Sequence, residues 1–534
     1  QIAKLTAGKS RDELEKNIKE QMDSLHEYQS SSDSEQLCAL LPHIHPSDLD
    51  SSIDTIKTER FNLRGIPSFL HRQSVNGIVY AEIGFPCDTF SPSDFPLLPF
   101  FSTVMVNTGF SGMDWAEAAS YTARISGSLD SALFTSSETY ELAQKCGVIG
   151  KDGTVLLTDD KRTEALYSYD PVCGRSWIFF RVKMLSEKTD TALDMFLSCI
   201  TGADFSDTKR LSDLLKEYKN DIDSSVIPAG NSYALSRTTC TASRSKAIDE
   251  IWNGLSQLYY VHDLCNADVV SVRAKLENMK NHMLAAGAVI NIICEDTMVS
   301  SVQDSFSKAL EKYLPDCGEP QKPFNCKDDD FYALTRIDHD SSKKIADKEL
   351  IVLSTQVGFA SCSVFTPPYD ITDSVYLSLA AHWLTNGTLW EKIRTMGGAY
   401  GAYAFPDMME RTFSFATYRD PKPEKSLETW IQELEKSSEL LIDDVTMERI
   451  ITGSYSKEIQ PRTPSGKGGA GFMRALYGIS DEKRAEKLKT LLNAKSTDIQ
   501  KSLQNLLNLL SKRKMVIIFN KSLESAGKII VLPL

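Results

Sequence analysis

The sequence predicts an α+β protein laid out twice along the chain, and three observations carry that prediction. Apolar runs of strand length come first in the early part of the chain and helical periodicities cluster behind them. The same series of signals then occurs twice: a strand, a helix, a glycine, a short helix carrying a tryptophan, and a turn of small residues. The first copy runs through Gly109, Trp115 and residues 126–128, the second through Gly387, Trp390 and residues 397–399. Between the copies, residues 315–344 are rich in Pro, Asp and Lys and hold no sustained period, which marks a domain boundary.

The 534 residues exceed one ordinary core, so two to four domains are expected, and 42% hydrophobic with 25% charged residues is the composition of a soluble globular protein. No apolar run reaches the roughly eighteen residues of a membrane span; residues 283–294 come nearest. A net charge of -13 argues against a nucleic-acid surface and favours basic partners. The eleven cysteines are scattered and form no C-x-x-C, which points to free thiols in a reducing compartment. Gln1 opens neither a signal-peptide pattern nor a methionine start, so the chain reads as a processed or cloned fragment with any targeting segment out of view.

In chain order, residues 10–28 form an amphipathic helix: Ser10 and Glu13 have capping-box spacing, and Leu14, Ile18, Met22 and Leu25 make a narrow apolar stripe that must pack on something else. Serines at 30–34 end it, and 37–57 is an extended connector. Strands are expected at 75–85, 176–184 and 288–294, with helices at 94–106, 114–125, 192–200, 212–220, 245–258, 267–283 and 298–313. After the boundary come strands 356–365, 412–418, 515–519 and 528–534, and helices 373–384, 425–441, 446–457, 481–492 and 496–510. The domain plan is a linker helix and connector over 1–58, an α+β domain over 59–314, a linker over 315–346 and a second α+β domain over 347–534.

Several chemistries are excluded by their missing residues. The eight histidines include no H-x-x-E-H or H-E-x-x-H, so no helix sets two imidazoles and a carboxylate on one face, and His43 and His45 lie in a proline-flanked connector. The stretch 464–471, P-S-G-K-G-G-A-G, fails as a phosphate loop because glycine follows the lysine; it reads as a mobile loop before a helix at 472–477. No Ser or Cys stands in a nucleophile frame, His262-Asp263 reads as a surface pair, and the acidic run 328–330 as solvated linker.

Most of the remaining chemistry falls in residues 386–405. Leu389 and Ile393 are four apart, as are Trp390 and Arg394, giving a short helix with one apolar face and a cation in its last turn. Gly397 and Gly398 stop that helix, and a strand follows in which Tyr400, Ala402 and Ala404 share a face. Tyr400 is the one large side chain on that face, able to donate a hydrogen bond into a cavity. Residue types alone read Arg394 and Tyr400 equally as a helix-end cation and a packed aromatic.

The run L-W-E-K-I-R-T-M-G-G-A-Y-G from Leu389 to Gly401 resembles the signature of the last domain in the pitrilysin/insulysin superfamily of inverted zinc metallopeptidases, in its presequence protease and falcilysin branch. T-N-G at 385–387, Y-R-D-P at 418–421, P-x-x-P-S-x-K-G at 461–468, L-Y-G-I-S-D-E at 476–482, V-N-G-I-V-Y at 75–80 and the proline-led helix 96–106 fit the same branch, and similarity is loosest between 220 and 344. The resemblance implies two homologous domains, each a mainly antiparallel sheet with helices on one face, preceded by part of a helical hairpin that joins the halves of a four-domain chamber. In this family H-x-x-E-H lies in the first domain of the other half. Aligning the first unit's helix with that zinc helix puts Leu97, Phe100 and Phe101 at the ligand and base positions, so no metal site is expected in this chain and zinc belongs to the missing N-terminal half. Arg394 and Tyr400 match the arginine and tyrosine that the last domain extends toward the zinc, with Gly397, Gly398 and Ala399 as substrate-binding positions beside them.

The expected function is therefore that of a non-catalytic C-terminal half, inactive alone, of a zinc metalloendopeptidase that degrades short unfolded peptides. Its expected partners are the catalytic half, on the same or a complementing polypeptide, and the peptide; neither nucleic acid nor a membrane span is expected. The alternative is a stand-alone pseudoprotease that binds peptides or scaffolds a partner. The family implies an organelle interior, mitochondrial, plastid or digestive, or the cytoplasm.

Overall fold

The protein is described by a computed structural model at residues 10–31, 34–38, 40–337, 346–367, 371–520 and 528–532. The chain divides into two compact units, Gln1–Asp50 and Ser51–Leu534. In the first, the Arg11–Ser30 helix starts where Ser10 and Glu13 cap each other: the Ser10 amide donates to Glu13 Oε2 at 3.0 Å and the Glu13 amide to Ser10 Oγ at 3.3 Å. None of its residues is buried, and Ile18, Met22 and Leu25 each remain more than half exposed at 56%, 64% and 55%. The predicted stripe forms and lies open.

The second unit holds two six-stranded sheets. Across the first, the strands run Glu59–Leu63, Ile66–Arg72, Val289–Cys294, Ile78–Pro86, Trp177–Leu185, Ser128–Phe134. Across the second, they run Lys528–Val531, Lys348–Val352, Lys514–Phe519, Phe359–Phe365, Thr412–Tyr418, Gly401–Asp407. Leaving aside the first strand of each series, the two orders are the same, down to one parallel pair, Ile66–Arg72 with Val289–Cys294 and Lys348–Val352 with Lys514–Phe519. The duplication read from sequence is thus a duplication of topology. It places the Gly401–Asp407 strand at a sheet edge, equivalent to Ser128–Phe134. That edge is closed by a side chain: Thr385 Oγ1 accepts from the Ala404 amide at 2.9 Å and donates to the Ala404 carbonyl at 3.2 Å.

Period-two alternation explains the layers. In Trp177–Leu185, Ile178, Phe180, Val182 and Met184 point into the main core with Phe100, Phe101, Phe196 and Phe306 from the helices of the same half. Trp177 and Phe179 point the other way and meet Phe472, Leu476 and Tyr477 of the Pro464–Tyr477 helix, which belongs to the second half. The exchange is mutual. The Gly230–Thr239 helix of the first half covers the second sheet, where Tyr233 and Ala234 pack with Phe359, Val516 and Ile518, and Thr238 Oγ1 lies 3.0 and 2.9 Å from the hydroxyls of Ser361 and Ser363. Under this crossing Arg237 Nε donates to Glu349 Oε2 at 2.7 Å and Arg237 Nη1 lies 3.5 Å from Glu250 Oε1, all three side chains at most 1% exposed. A second tie forms where buried Glu410, in the turn before Thr412–Tyr418, accepts from the Ser137 amide at 2.9 Å and from Ser245 Oγ at 2.6 Å.

Three expectations are corrected. Residues 464–471 are the start of the Pro464–Tyr477 helix, not a mobile loop. Thr463 caps it by accepting from the Gly466 amide at 3.1 Å, and the glycines give closeness: a Cβ on Gly468 would fall 2.6 Å from Ile293 and one on Gly471 2.6 Å from His71. Packing against the first sheet outweighs the roughly 1 kcal/mol that each helical glycine loses to alanine. Residues 328–330 are not solvated linker but the first turn of the Asp328–Leu334 helix, with Asp328 held by Arg244 Nε at 2.5 Å and Phe331 buried. His262 pairs with Asp223 at 2.8 Å rather than with Asp263. The start of the strand predicted at 356–365 falls three residues later, and the end of the 528–534 expectation lies outside the described residues.

Candidate functional site

The candidate site forms where helix hands over to edge strand. The Ile371–Leu384 helix continues into Thr385–Thr395, bent at Gly387 (φ -102°, ψ -108°) and wound with wide π-type turns; the Met396 amide donates to the Glu391 carbonyl at 2.9 Å. Leu389 and Ile393 are 0% and 1% exposed, so the apolar face is the anchor and Trp390 and Arg394 are left on the opposite side. A carboxylate fixes the segment from below. Burial alone would raise the Glu433 carboxyl, but hydrogen bonds from Lys392, Thr388 and Lys436 outweigh it and bring it down to about 2.

The turn follows the glycine logic of a helix end. The Gly398 amide donates to the Arg394 carbonyl at 3.0 Å and the Ala399 amide to the Ile393 carbonyl at 3.1 Å, with Gly398 at φ +85°. A Cβ on Gly397 would lie 2.4 Å from the Ile393 carbonyl oxygen. Ala399 is buried, whereas Gly398 stays exposed. Tyr400 lies one residue before the Gly401–Asp407 strand rather than in it, its amide shared between the Tyr418 carbonyl at 3.1 Å and the Arg419 carbonyl at 3.3 Å.

Arg394 and Tyr400 are brought together. The Arg394 guanidinium lies 3.6 Å from the Trp390 ring centroid and 6.0 Å from that of Tyr400, a cation–π arrangement worth about 0.5–1 kcal/mol at an exposed site. Tyr400 is 65% exposed and Trp390 49%, with Arg394 half-buried between them. Among the described residues no carboxylate pairs with Arg394. The arrangement offers a fixed fork of donors beside a phenol hydroxyl, both free to meet an external chain. Sequence reasoning singles out this pair but misses the second rank behind it. Tyr418 stands edge-on to Tyr400 at 5.8 Å, and Arg419 packs on Tyr418 at 5.5 Å. The available signal is Y-R-D-P, which as a motif match says nothing of what its side chains touch.

Among the described residues no group of three or more His, Cys, Asp and Glu side chains is placed to hold a metal ion, and no helix is long and apolar enough to cross a membrane. Leu97, Phe100 and Phe101 are core residues, 3%, 0% and 0% exposed.

Two family models match the chain: the PreP C-terminal domain over residues 348–521, and the associated domain of the M16 peptidases, subfamily C, over 1–159 and 168–264. Among curated proteins, presequence protease 1, chloroplastic/mitochondrial, of Arabidopsis thaliana is 22% identical over 478 residues, covering 88% of this chain and 40% of that protein. The mitochondrial presequence protease of Saccharomyces cerevisiae is 25% identical over 332 residues, 59% of this chain and 32% of the relative. Among solved structures, the peptidase M16 inactive domain from Pseudomonas fluorescens superposes with a TM-score of 0.53 at 12% identity, over 88% of this chain and 99% of that one. Fold and site thus define an M16-type pair of α+β domains, with no metal centre among the described residues. More narrowly, the chain belongs to the M16 peptidases as a C-terminal, inactive half of the presequence-protease branch, and it spans well under half the length of the curated relatives it matches.

Proposed function

We propose that this chain is the substrate-binding half of a zinc metalloendopeptidase acting on short unfolded peptides, and that it works with an N-terminal half that carries zinc, water and a glutamate base. The observation that carries this reading is the Arg394–Tyr400 pair, with Tyr400 exposed and Arg394 free of ion pairs among the described residues, on a turn braced by Gly397, Gly398 and Ala399. A guanidinium stays charged at any working pH and can hold peptide carbonyls. A phenol can hydrogen-bond the oxygen that gains charge when metal-activated water attacks. Gly397 and Gly398 leave the intervening backbone without side chains, so a peptide can lie close to it. The bare apolar stripe of Arg11–Ser30 supports a partner helix from the other half, since a helix with no buried residue gains nothing from its apolar side until another surface covers it. The printed names of the relatives, mitochondrial and chloroplastic, favour an organelle interior.

The test is complementation. The chain alone should leave an unstructured peptide intact, and mixing with an H-x-x-E-H half should restore cleavage that a chelator abolishes and zinc returns. If the halves bind each other and no cleavage follows, the chain is a pseudoprotease scaffold instead.

A further inference from the structure

Behind Arg394 and Tyr400 the side chains form a row in which cations and rings are interleaved: Trp390, Arg394, Tyr400, Tyr418, Arg419. Successive separations are 3.6, 6.0, 5.8 and 5.5 Å, measured from guanidinium carbon to ring centroid or from centroid to centroid. Arg419 closes this row in a conformation that an arginine does not adopt by preference. Its φ is +48°, in the left-handed region where an L side chain loses about 1–2 kcal/mol. Both flanks hold it there. On one side its carbonyl accepts from the Tyr400 amide at 3.3 Å. On the other, Asp420 and Gly358 exchange a pair of backbone hydrogen bonds at 2.7 and 2.8 Å. The strain aims an exposed guanidinium alongside Tyr400.

Charge in this patch is uncompensated. Among the described residues neither Arg394 nor Arg419 pairs with a carboxylate. The nearest acid in sequence, Asp420, is 1% exposed and turned inward: its Oδ1 accepts from the Lys422 amide at 2.8 Å, and burial raises its pKa. Two planar cations stacked on rings are held in one row with their donor edges free, the geometry that receives carboxylate oxygens in a forked pair.

We infer that Arg419 is a specificity-determining residue that binds a carboxylate of the peptide, carried by an acidic side chain or by a free C-terminus, next to the group held by Arg394 and Tyr400. The inference rests on the reading of that pair as peptide contacts, and its test needs no zinc half, so the two can fail separately. Binding of a fluorescent unstructured peptide to the whole chain is measured for wild type, Arg419→Lys and Arg419→Asn. Asparagine tolerates the left-handed backbone and removes the cation, which keeps the fold intact. Four peptides are compared: with acidic side chains and a free C-terminus, with only the C-terminus amidated, with only the acids replaced by their amides, and with both changes.

For wild type we expect the carboxylate-free peptide to bind about tenfold more weakly than the parent, with the single-change peptides showing which carboxylate is used. Arg419→Asn should lose that factor for the parent peptide and leave the carboxylate-free one unchanged, and Arg419→Lys should fall between. Equal affinity of wild type for all four peptides, or an Arg419→Asn loss that is the same for every peptide, overturns the assignment.

Discussion

Replacing Arg237 by methionine tests whether the two halves are held as one folding unit by the exchanged helices. Arg237 sits on the first-half helix that covers the second sheet, 2.7 Å from Glu349 of that sheet and 3.5 Å from Glu250, with Glu250 0% and the other two side chains 1% exposed. It also donates to the Thr335 carbonyl. Burial alone would lower the pKa of this arginine, and the surrounding anions reverse that and raise it. Methionine fills a similar volume but leaves two buried carboxylates without a cation. Breaking such a pair from one side costs about 3–5 kcal/mol, and the doubly shared geometry places Arg237→Met toward the upper end. Urea unfolding followed by tryptophan fluorescence and by far-ultraviolet circular dichroism should show the loss in both signals, because Trp177 lies in the first half and Trp430 in the second. Adding Glu349→Met and Glu250→Gln should recover much of it, since a well-packed neutral cluster replaces the stranded charges. A single mutant within about 1 kcal/mol of wild type would refute the reasoning and mean that the crossing is hydrated.

Other perturbations have equally definite outcomes. Gly398→Ala, at φ +85°, should cost about 1–2 kcal/mol in thermal or urea unfolding, and Gly397→Ala should cost at least as much because its Cβ meets the Ile393 carbonyl. Burial of His71, only partly offset by its hydrogen bond to Asn291, lowers its pKa to about 4. The unfolded chain therefore takes up a proton near the ordinary value of about 6.5 while the folded protein does not. Stability should fall by up to about 3 kcal/mol as pH drops from about 6.5 toward 4 and level off below, and His71→Gln should flatten that slope in urea titrations at several pH values. Glu433→Gln should speed amide exchange in Thr385–Thr395 relative to the sheets, because Lys392, Thr388 and Lys436 lose their shared acceptor.

The parts of this molecule that announce themselves in sequence are those where local chemistry and packing agree. Capping residues Ser10, Asp114 and Ser480 mark helix starts that the structure keeps, and the alternation in 412–418 gives a strand with those same bounds. The strands Glu59–Leu63, Ser128–Phe134 and Lys348–Val352 escape because they are short or only half-buried, with charged or small residues diluting the pattern. The Pro464–Tyr477 helix escapes because its glycines contradict helix propensity and make sense only beneath Ile293 and His71 of a distant strand pair. At the site, the Leu389 and Ile393 spacing determines which side of the helix is anchored and so which side presents Trp390 and Arg394. The turn to Tyr400 is readable from Gly397 and Gly398. What no local pattern can reveal is the approach of Tyr418 and Arg419, which depends on pairing with a strand that follows a turn.

The central claim is that Arg394 and Tyr400 act on a peptide whose cleavage needs the other half. The most direct measurement is turnover of an unstructured peptide by the reconstituted halves with wild-type chain, Arg394→Ala and Tyr400→Phe, alongside the affinity of each variant for the zinc-bearing half. The account predicts unchanged assembly and a loss of roughly tenfold or more in kcat/KM, carried by kcat for Tyr400→Phe. Variants that assemble and turn over like wild type would contradict it.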